Sequence, residues 1–261
     1  LAKPVAKCAV QLQAPIPKQE FIDLVNAGSS DRPGPVFIEL CLDTQGAPPL
    51  LSENAVTQKI ENVLAAANDV EQVVQKLHAS QRPVLLIGGG VSRKTAQSIQ
   101  QSMSDSGIPV MTTWNGADRI DASHPQYLGR PNTWGQRAAN LLMAQADVIV
   151  AVGTRLGMQQ TGFNWQEFGR NAFVIQVDID KSELEKGHPK VDLSICGDAD
   201  SFLEDLFPKI HGQWDEWITY AHDVQEALPL NDPENETGAE FVSPYDFYAD
   251  LSELATRNDV I

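Results

Sequence analysis

Between residues 68 and 210, short continuous apolar runs alternate with segments that carry apolar residues at helical spacing. Four of the apolar runs lie within 82–90, 108–116, 146–153 and 171–180, and a fifth ends just before Gly197. Strands that are apolar throughout, rather than at every second residue, are typical of a parallel sheet covered by helices on both faces. The pattern therefore predicts an α/β fold, with a doubly wound, mainly parallel six-stranded sheet and helices on both faces.

The segments on either side have a different character. Residues 34–40 predict a strand, and a Pro-rich turn and extended linker follow them. After the α/β region, 213–228 predicts a helix and 228–240 an acidic connector. A last amphipathic helix begins after a Ser cap at Ser243. These flanks predict that the α/β region is one unit of a larger arrangement.

Composition narrows the classes of function. The chain of 261 residues carries a formal net charge of -16, and no run of Lys or Arg interrupts the acidic excess. Binding to nucleic acid or to an anionic membrane is therefore not expected. Three widely spaced cysteines indicate neither a disulfide framework nor a zinc site and favour a reducing, cytoplasmic location.

Small and polar residues are concentrated where the predicted strands end. In an open parallel sheet, ligands bind beyond the carboxyl ends of the strands, where helix N-termini offer free N–H groups. The glycines there would let a phosphate approach the backbone, an arginine can pair with a phosphate or stack on a flat ring, and a carboxylate can accept hydrogen bonds from a ribose diol. The candidate binding residues are Gly88, Gly89, Gly90, Thr113, Gly153, Thr154, Arg155, Asp178, Asp180 and Asp198.

Each of these signals also has a structural explanation. The run Gly88–Gly90 fits an ordinary tight turn and is neither a G-x-G-x-x-G fingerprint nor a P-loop. Arg155 can serve as a salt-bridge residue, and Asp178 and Asp180 can serve as a helix cap and a solvated turn. Signatures of hydrolases, zinc proteases and kinases are missing, and the five histidines are isolated in sequence. The residues alone predict a binding crevice without catalytic groups.

The ordered strings "RPVLLIGGG", "SGIPVMTTWNGADRI", "HPQYLGR", "ADVIVAVGTRL" and "VIQVDID" resemble the central domain of thiamine-diphosphate-dependent enzymes of the acetolactate synthase group. The resemblance implies four segments. Residues 1–50 would end the pyrimidine-binding domain, 51–67 would be a linker, 68–225 would be the central nucleotide-binding-like domain, and 226–261 would lead into the diphosphate-binding domain.

The resemblance also implies what the chain does. The family's catalytic glutamate and its Mg²⁺ and diphosphate motif would lie outside residues 1–261, so the chain is expected to be a central-domain fragment without catalytic residues or metal ligands. Thiamine diphosphate and Mg²⁺ would belong to the intact parent. That parent would be a transferase or lyase, a homodimer or homotetramer, that decarboxylates a 2-oxo acid and passes the carbanion to an acceptor.

In flavin-containing members of this family the central domain holds FAD along the same strand ends, and other members hold ADP there or leave the crevice empty. Three departures from the family pattern weaken FAD contacts. Gly157 replaces an acidic residue, Gln159 replaces an arginine, and Trp134 replaces a histidine. Two alternatives stay open: a free-standing nucleotide-binding module of the sirtuin type, and a structural spacer with an empty crevice.

Overall fold

The computed structural model describes residues 2–48, 63–235, 237–238, 240–256 and 259. Most of the predicted linker 51–67 lies outside the described residues, as do Pro49, Leu50 and Ile261. The described residues form two parallel sheets. The larger sheet carries the core, and the smaller one precedes it in the chain.

The larger sheet has five strands within the described residues, and every pairing is parallel. Its strands are β3 (Pro83–Ile87), β4 (Val110–Thr112), β5 (Val148–Val152), β6 (Phe173–Asp178) and β7 (Leu193–Cys196). Their spatial order is β4-β3-β5-β6-β7. The chain thus runs outward from β3 to one edge and then returns to the other side of β3. This reversal creates a topological switch point between β3 and β5, where ligands bind in open α/β sheets.

The core lies on both faces of the central strands. Every residue of β3 and of β5 is buried, which explains their continuous apolar sequences. Helix α3 (Ala67–His78) covers one face with Val70, Val73 and Leu77, spaced at helical intervals. The predicted α/β fold with a covered parallel sheet is confirmed.

The predicted count of six strands differs from the five that the described residues form. Residues 126–129 take the sixth position, along the outer edge of β4. The Val110 N–H donates to Gln126 O at 2.8 Å, and the Leu128 N–H donates to Val110 O at 2.8 Å. The next bond leaves the regular register, because the Thr112 N–H passes over Leu128 and donates to Gly129 O at 3.1 Å, where Gly129 takes φ +94°. The pairing is therefore limited to an isolated bridge at Tyr127.

Helices flank the sheet, and most of them follow the predicted segments, but Lys18–Ala27 and Met158–Thr161 form helices that the sequence did not predict. Two further predictions are corrected. The predicted helix after the glycine triplet is divided at Ile99, and the predicted turn after Cys41 contains a short helix. The remaining helices are α1 (Lys18–Ala27), α2 (Leu42–Gln45), α4 (Arg93–Ser98), α5 (Gln100–Ser106), α6 (Arg137–Gln145), α7 (Met158–Thr161), α8 (Lys181–Leu184), α9 (Ala199–Leu206), α10 (Asp215–Ala227) and α11 (Pro244–Leu254). Ser243 caps α11 as predicted, because its hydroxyl accepts a hydrogen bond from the Asp246 N–H.

The smaller sheet pairs β1 (Cys8–Leu12) with β2 (Val36–Leu40) in parallel, and α1 connects the two strands. The sequence predicted β2 but not β1. We refer to β1, α1 and β2, with the loops that join them, as the N-terminal unit. The α1–β2 loop of this unit, residues 28–35, extends to the tips of the larger sheet, as described below.

Candidate functional site

The tips of the central strands meet in one cavity of about 650 Å³. The cavity lies at the switch point between β3 and β5. Eight of the ten candidate residues line it: Gly89, Gly90, Thr113, Gly153, Thr154, Arg155, Asp178 and Asp198. The convergence expected from the strand order is therefore observed. Gly88 and Asp180 are not among the lining residues, for the reasons given below.

The glycine turn after β3 is packed directly against the tip of β5. A Cβ atom added to Gly88 would lie 2.2 Å from Gly153 O, so only glycine allows the two loops to approach this closely. The Gly90 N–H donates to Gly153 O at 2.9 Å, and Gly153 itself takes φ +63°. Gly88 is therefore a packing residue that brings the loops together, while its two neighbours form the wall of the cavity.

Several hydrogen-bond donors at the cavity have no protein partner among the described residues. They are the Gly89 N–H, the Thr113 hydroxyl and the Asn115 side-chain amide. In contrast, the Thr113 N–H is used within the fold, since it donates to Ile87 O at 2.9 Å. Donors left unused beside a cradle of glycines are suited to an oxygen-rich anionic ligand such as a phosphate.

Arg155 extends from the β5 tip into open space, with 64% of its side chain exposed. Its Nε lies 3.7 Å from Glu183 Oε1, a distance at which no firm hydrogen bond forms. The loop that carries it is fixed more tightly, because the Lys186 ammonium binds the Arg155 carbonyl oxygen and pairs with Glu183 at 3.0 Å. The Arg155 guanidinium is thus held on an ordered loop and is free to meet a ligand.

A second chamber of about 410 Å³ adjoins the first and shares Thr113, Asn115, Thr154 and Arg155 with it. The exposed rings and chains of Trp114 and Met158 flank this second chamber. Gly157 and Gln159, two of the departures from the family pattern, also line it. Its walls therefore offer exposed apolar side chains, neutral polar groups and the charged Arg155.

The third departure, Trp134, lies elsewhere. It lines a separate cavity of about 390 Å³ together with Leu228, Pro229 and Tyr245. Its ring is well exposed. Trp134 therefore does not contact the crevice in this structure.

Of the three candidate carboxylates, two cap helices and one is buried at the end of a strand. Asp178 is buried at the end of β6, and burial raises the pKa of its carboxyl group. Its Oδ1 accepts a hydrogen bond from the Asp180 N–H at 2.9 Å. Asp180 caps α8 by accepting from the Ser182 N–H, and Asp198 caps α9 by accepting from the Ser201 N–H, each at 2.9 Å. The structural explanation is therefore correct for the cap at Asp180, whereas Asp178 and Asp198 also line the cavity.

Arg32 is a lining residue that the sequence did not predict. It lies on the α1–β2 loop of the N-terminal unit and donates from Nη1 to Asp180 Oδ2 at 3.0 Å and to Glu183 Oε1 at 2.8 Å. The hydrogen bond from Arg32 is the largest influence on Asp180 and lowers the pKa of that carboxyl group. Its neighbours Ser29, Asp31 and Pro33 line the same wall. The only local signal was a cation beside the turn that opens β2.

The described residues contain no helix that is long and apolar enough to cross a bilayer. Within the same residues, no three His, Cys, Asp or Glu side chains come together in a way that could hold a metal ion. The three cysteines are free thiols. The binding groups at the crevice are therefore backbone N–H groups, hydroxyls, amides, guanidinium groups and carboxylates.

A doubly wound α/β domain with a crevice at its switch point is the class of protein that fold and site define. The family model for the central domain of thiamine pyrophosphate enzymes matches residues 70–206, which is more than half of the chain. The chain belongs to this family of thiamine pyrophosphate enzymes. The match covers all five strands of the larger sheet and the whole of α9.

Curated relatives agree with this assignment. Isozyme 1 of the acetolactate synthase large subunit from Escherichia coli (strain K12) is 29% identical over 218 residues, which cover 82% of this chain and 38% of the relative. A probable acetolactate synthase large subunit from Methanocaldococcus jannaschii is 28% identical over 273 residues, covering 99% and 45%. Isozyme 2 from Escherichia coli (strain K12) is 33% identical over 178 residues, covering 68% and 32%. The chain thus spans between about a third and a half of the length of these relatives.

Proposed function

We propose that the crevice binds the adenosine diphosphate group of a nucleotide, either ADP itself or the corresponding half of FAD. The observation that carries this proposal is the cavity of about 650 Å³ at the β3–β5 switch point. The loops after all five strands of the larger sheet contribute residues to it, whereas the edge segment 126–129 contributes none. Cavities at this place in open α/β sheets are the usual ligand sites of such folds.

The groups at the crevice fit the parts of this ligand. A cradle of glycines with an unused Gly89 N–H suits the diphosphate, which requires close backbone approach and N–H donors. The exposed Arg155 guanidinium would pair with a phosphate oxygen or stack on a ring. Asp178 would accept hydrogen bonds from the ribose hydroxyls, since its second carboxylate oxygen is available beside the cavity.

FAD and ADP differ in their demand on the second chamber. A flavin ring needs a flat apolar surface, which Trp114 and Met158 would supply. The neutral Gly157 and Gln159, in place of charged residues in the family pattern, weaken contacts to such a ring. The ratio of the dissociation constants for ADP and FAD therefore measures how much the second chamber contributes to FAD binding.

The activity of the intact protein is a second, more general proposal. We infer that the intact protein is an acetolactate-synthase-like enzyme that uses thiamine diphosphate to decarboxylate a 2-oxo acid and transfer the product carbanion. The relatives are named for the synthesis of acetolactate, a small molecule, and as large subunits. In such a protein, residues 68–225 would support the flanking domains and a homodimer or homotetramer in the cytoplasm.

Within the described residues, no three His, Cys, Asp or Glu side chains are placed to hold a metal ion, so these residues offer no site that fits the Mg²⁺ of thiamine diphosphate. We therefore derive no chemical step through either group from this chain. The segments 1–50, 51–67 and 226–261 stay assigned to the neighbouring domains and linkers on resemblance alone. Their test is the coding sequence on both sides of this segment.

The binding proposal is tested by thermal unfolding of the 261-residue chain with FAD, ADP and NAD. A ligand that binds the folded state, present at about 100 times its dissociation constant, adds roughly 2.7 kcal/mol of stability. For a chain of this size that gain corresponds to a rise of about 5 to 11 °C in Tm. A rise with ADP and FAD supports the proposal. A rise with NAD alone favours the free-standing module, and no rise with any of the three favours the spacer.

Arg155→Ala localises the ligand. The loss of one charged hydrogen bond should weaken binding by about 1 to 3 kcal/mol. Arg170→Ala is the matched control, because Arg170 is similarly exposed but pairs with Glu167 away from the cavity. Equal affinity in the Arg155 variant and the wild type would remove Arg155 from the site.

A further inference from the structure

Arg119 is a buried cation that contacts the glycine turn from outside the cavity. Only 8% of its side chain is exposed, and it is not among the lining residues of either chamber. Its Nε donates to Val91 O at 2.5 Å, and its Nη2 lies 3.4 Å from Gly89 O. The guanidinium therefore spans two carbonyl oxygens of the same turn.

These contacts decide which polar groups the turn can offer. A peptide carbonyl carries partial negative charge, and one that faced the crevice would repel a phosphate. The guanidinium fork engages the carbonyls of Gly89 and Val91, while the Gly89 N–H has no partner among the described residues. With these two carbonyls engaged by Arg119, the Gly89 N–H is left as an unused donor on a residue that lines the cavity.

Packing alone does not explain a cation at this place. Arginine stays charged in proteins, and burying a charge costs free energy unless the charge is paired and hydrogen-bonded. Arg119 pairs with Asp118, whose carboxylate is half exposed and also binds Arg93 at 2.5 Å. An unbranched apolar side chain of similar length would fill the same space without that desolvation cost. The hydrogen bonds to the turn are what such a residue would lack.

We propose that Arg119 is a positioning residue for the phosphate groups of the bound nucleotide, and this inference rests on the proposed function. It acts through the glycine turn and does not itself touch the ligand. Its removal should weaken the binding of ligands that carry phosphate and leave the binding of the nucleoside portion nearly unchanged.

The test compares dissociation constants for ADP and adenosine in the full 261-residue chain, measured by isothermal titration calorimetry. In Arg119→Met the ADP constant should rise on the order of tenfold, the effect of losing one charge-assisted hydrogen bond, while the adenosine constant should change less than about twofold. Arg119→Lys keeps the charge but not the fork and should give an intermediate ADP constant. Arg93→Met is the control, because it removes the other partner of Asp118 at an exposed site.

The ratio of the two constants separates positioning from stability. A variant that is partly unfolded loses affinity for ADP and adenosine by the same factor, so the ratio does not change. An unchanged ratio in both Arg119 variants, with normal ADP binding by the wild type, would overturn the role of Arg119 and leave the binding proposal intact. Absence of ADP binding by the wild type would overturn both. If Arg119→Met fails to fold, Arg119→Lys decides the outcome.

Discussion

Gly88→Ala tests whether the tips of β3 and β5 are packed against each other. The added Cβ would lie 2.2 Å from Gly153 O and 2.6 Å from Thr154 Cβ. Ordinary contact distances between such atoms are about 3.5 Å, so the two loops would have to separate by about 1 Å. Overpacking of this kind costs about 1 to 3 kcal/mol, and the contact with backbone favours the upper end of that range. The expected fall in Tm is about 6 to 12 °C for a cost of about 3 kcal/mol.

The measurement is thermal unfolding followed by circular dichroism, with the midpoint Tm compared between the variant and the wild type. Gly46→Ala is the matched control, because its added Cβ would meet only Asp43 O at an ordinary 3.8 Å. The control should shift the midpoint little. A Gly88→Ala protein with the wild-type midpoint would refute the close approach of the two strand tips. The cavity at these strand tips would then lose its structural basis.

Three further outcomes follow from the carboxylates. Burial raises the pKa of the Asp178 carboxyl group, so its ionised form is disfavoured in the folded state and Asp178→Asn should stabilise the ligand-free protein in urea unfolding. The same substitution should weaken ADP binding by about 1 kcal/mol in calorimetry. Arg32→Met should lower the free energy of unfolding at neutral pH, because Asp180 and Glu183 lose the cation with which they pair. The difference from wild type should shrink as pH falls below about 4, since both carboxylates become protonated in that range. An undiminished difference at pH 3 would contradict this. Asp198→Ala should destabilise by about 1 kcal/mol through the lost α9 cap, whereas Asp198→Asn should cost far less, and equal losses would show that the cap is unimportant.

The larger sheet could be predicted from sequence because its signals are local. The strands β3 and β5 are apolar at every position, and this property follows directly from burial on both faces. The strand-end rule then placed eight of ten candidates at one cavity without any knowledge of contacts. Their actual role as binding residues stays a prediction.

The features that sequence reasoning missed depend on packing between distant segments. Arg32 reaches Asp180 across 148 positions of the chain, and its local sequence is that of an ordinary turn. Arg119 is buried, and its Nε donates to Val91 O, 28 positions earlier in the chain. The short edge segment at Tyr127 has too few residues to produce a strand pattern. In all three cases the informative partner is remote in sequence, so no periodicity reveals it.

The placement of Arg32 on the cavity wall has a practical consequence for work on shorter expression products. The lining residues extend from Ser29 to Ala199, so the N-terminal unit and the larger sheet both contribute to the cavity. A truncated gene that begins at residue 63 would keep all five strands of the larger sheet and would still omit the wall formed by the α1–β2 loop. Crystallisation or screening aimed at this crevice therefore needs a start codon upstream of residue 29.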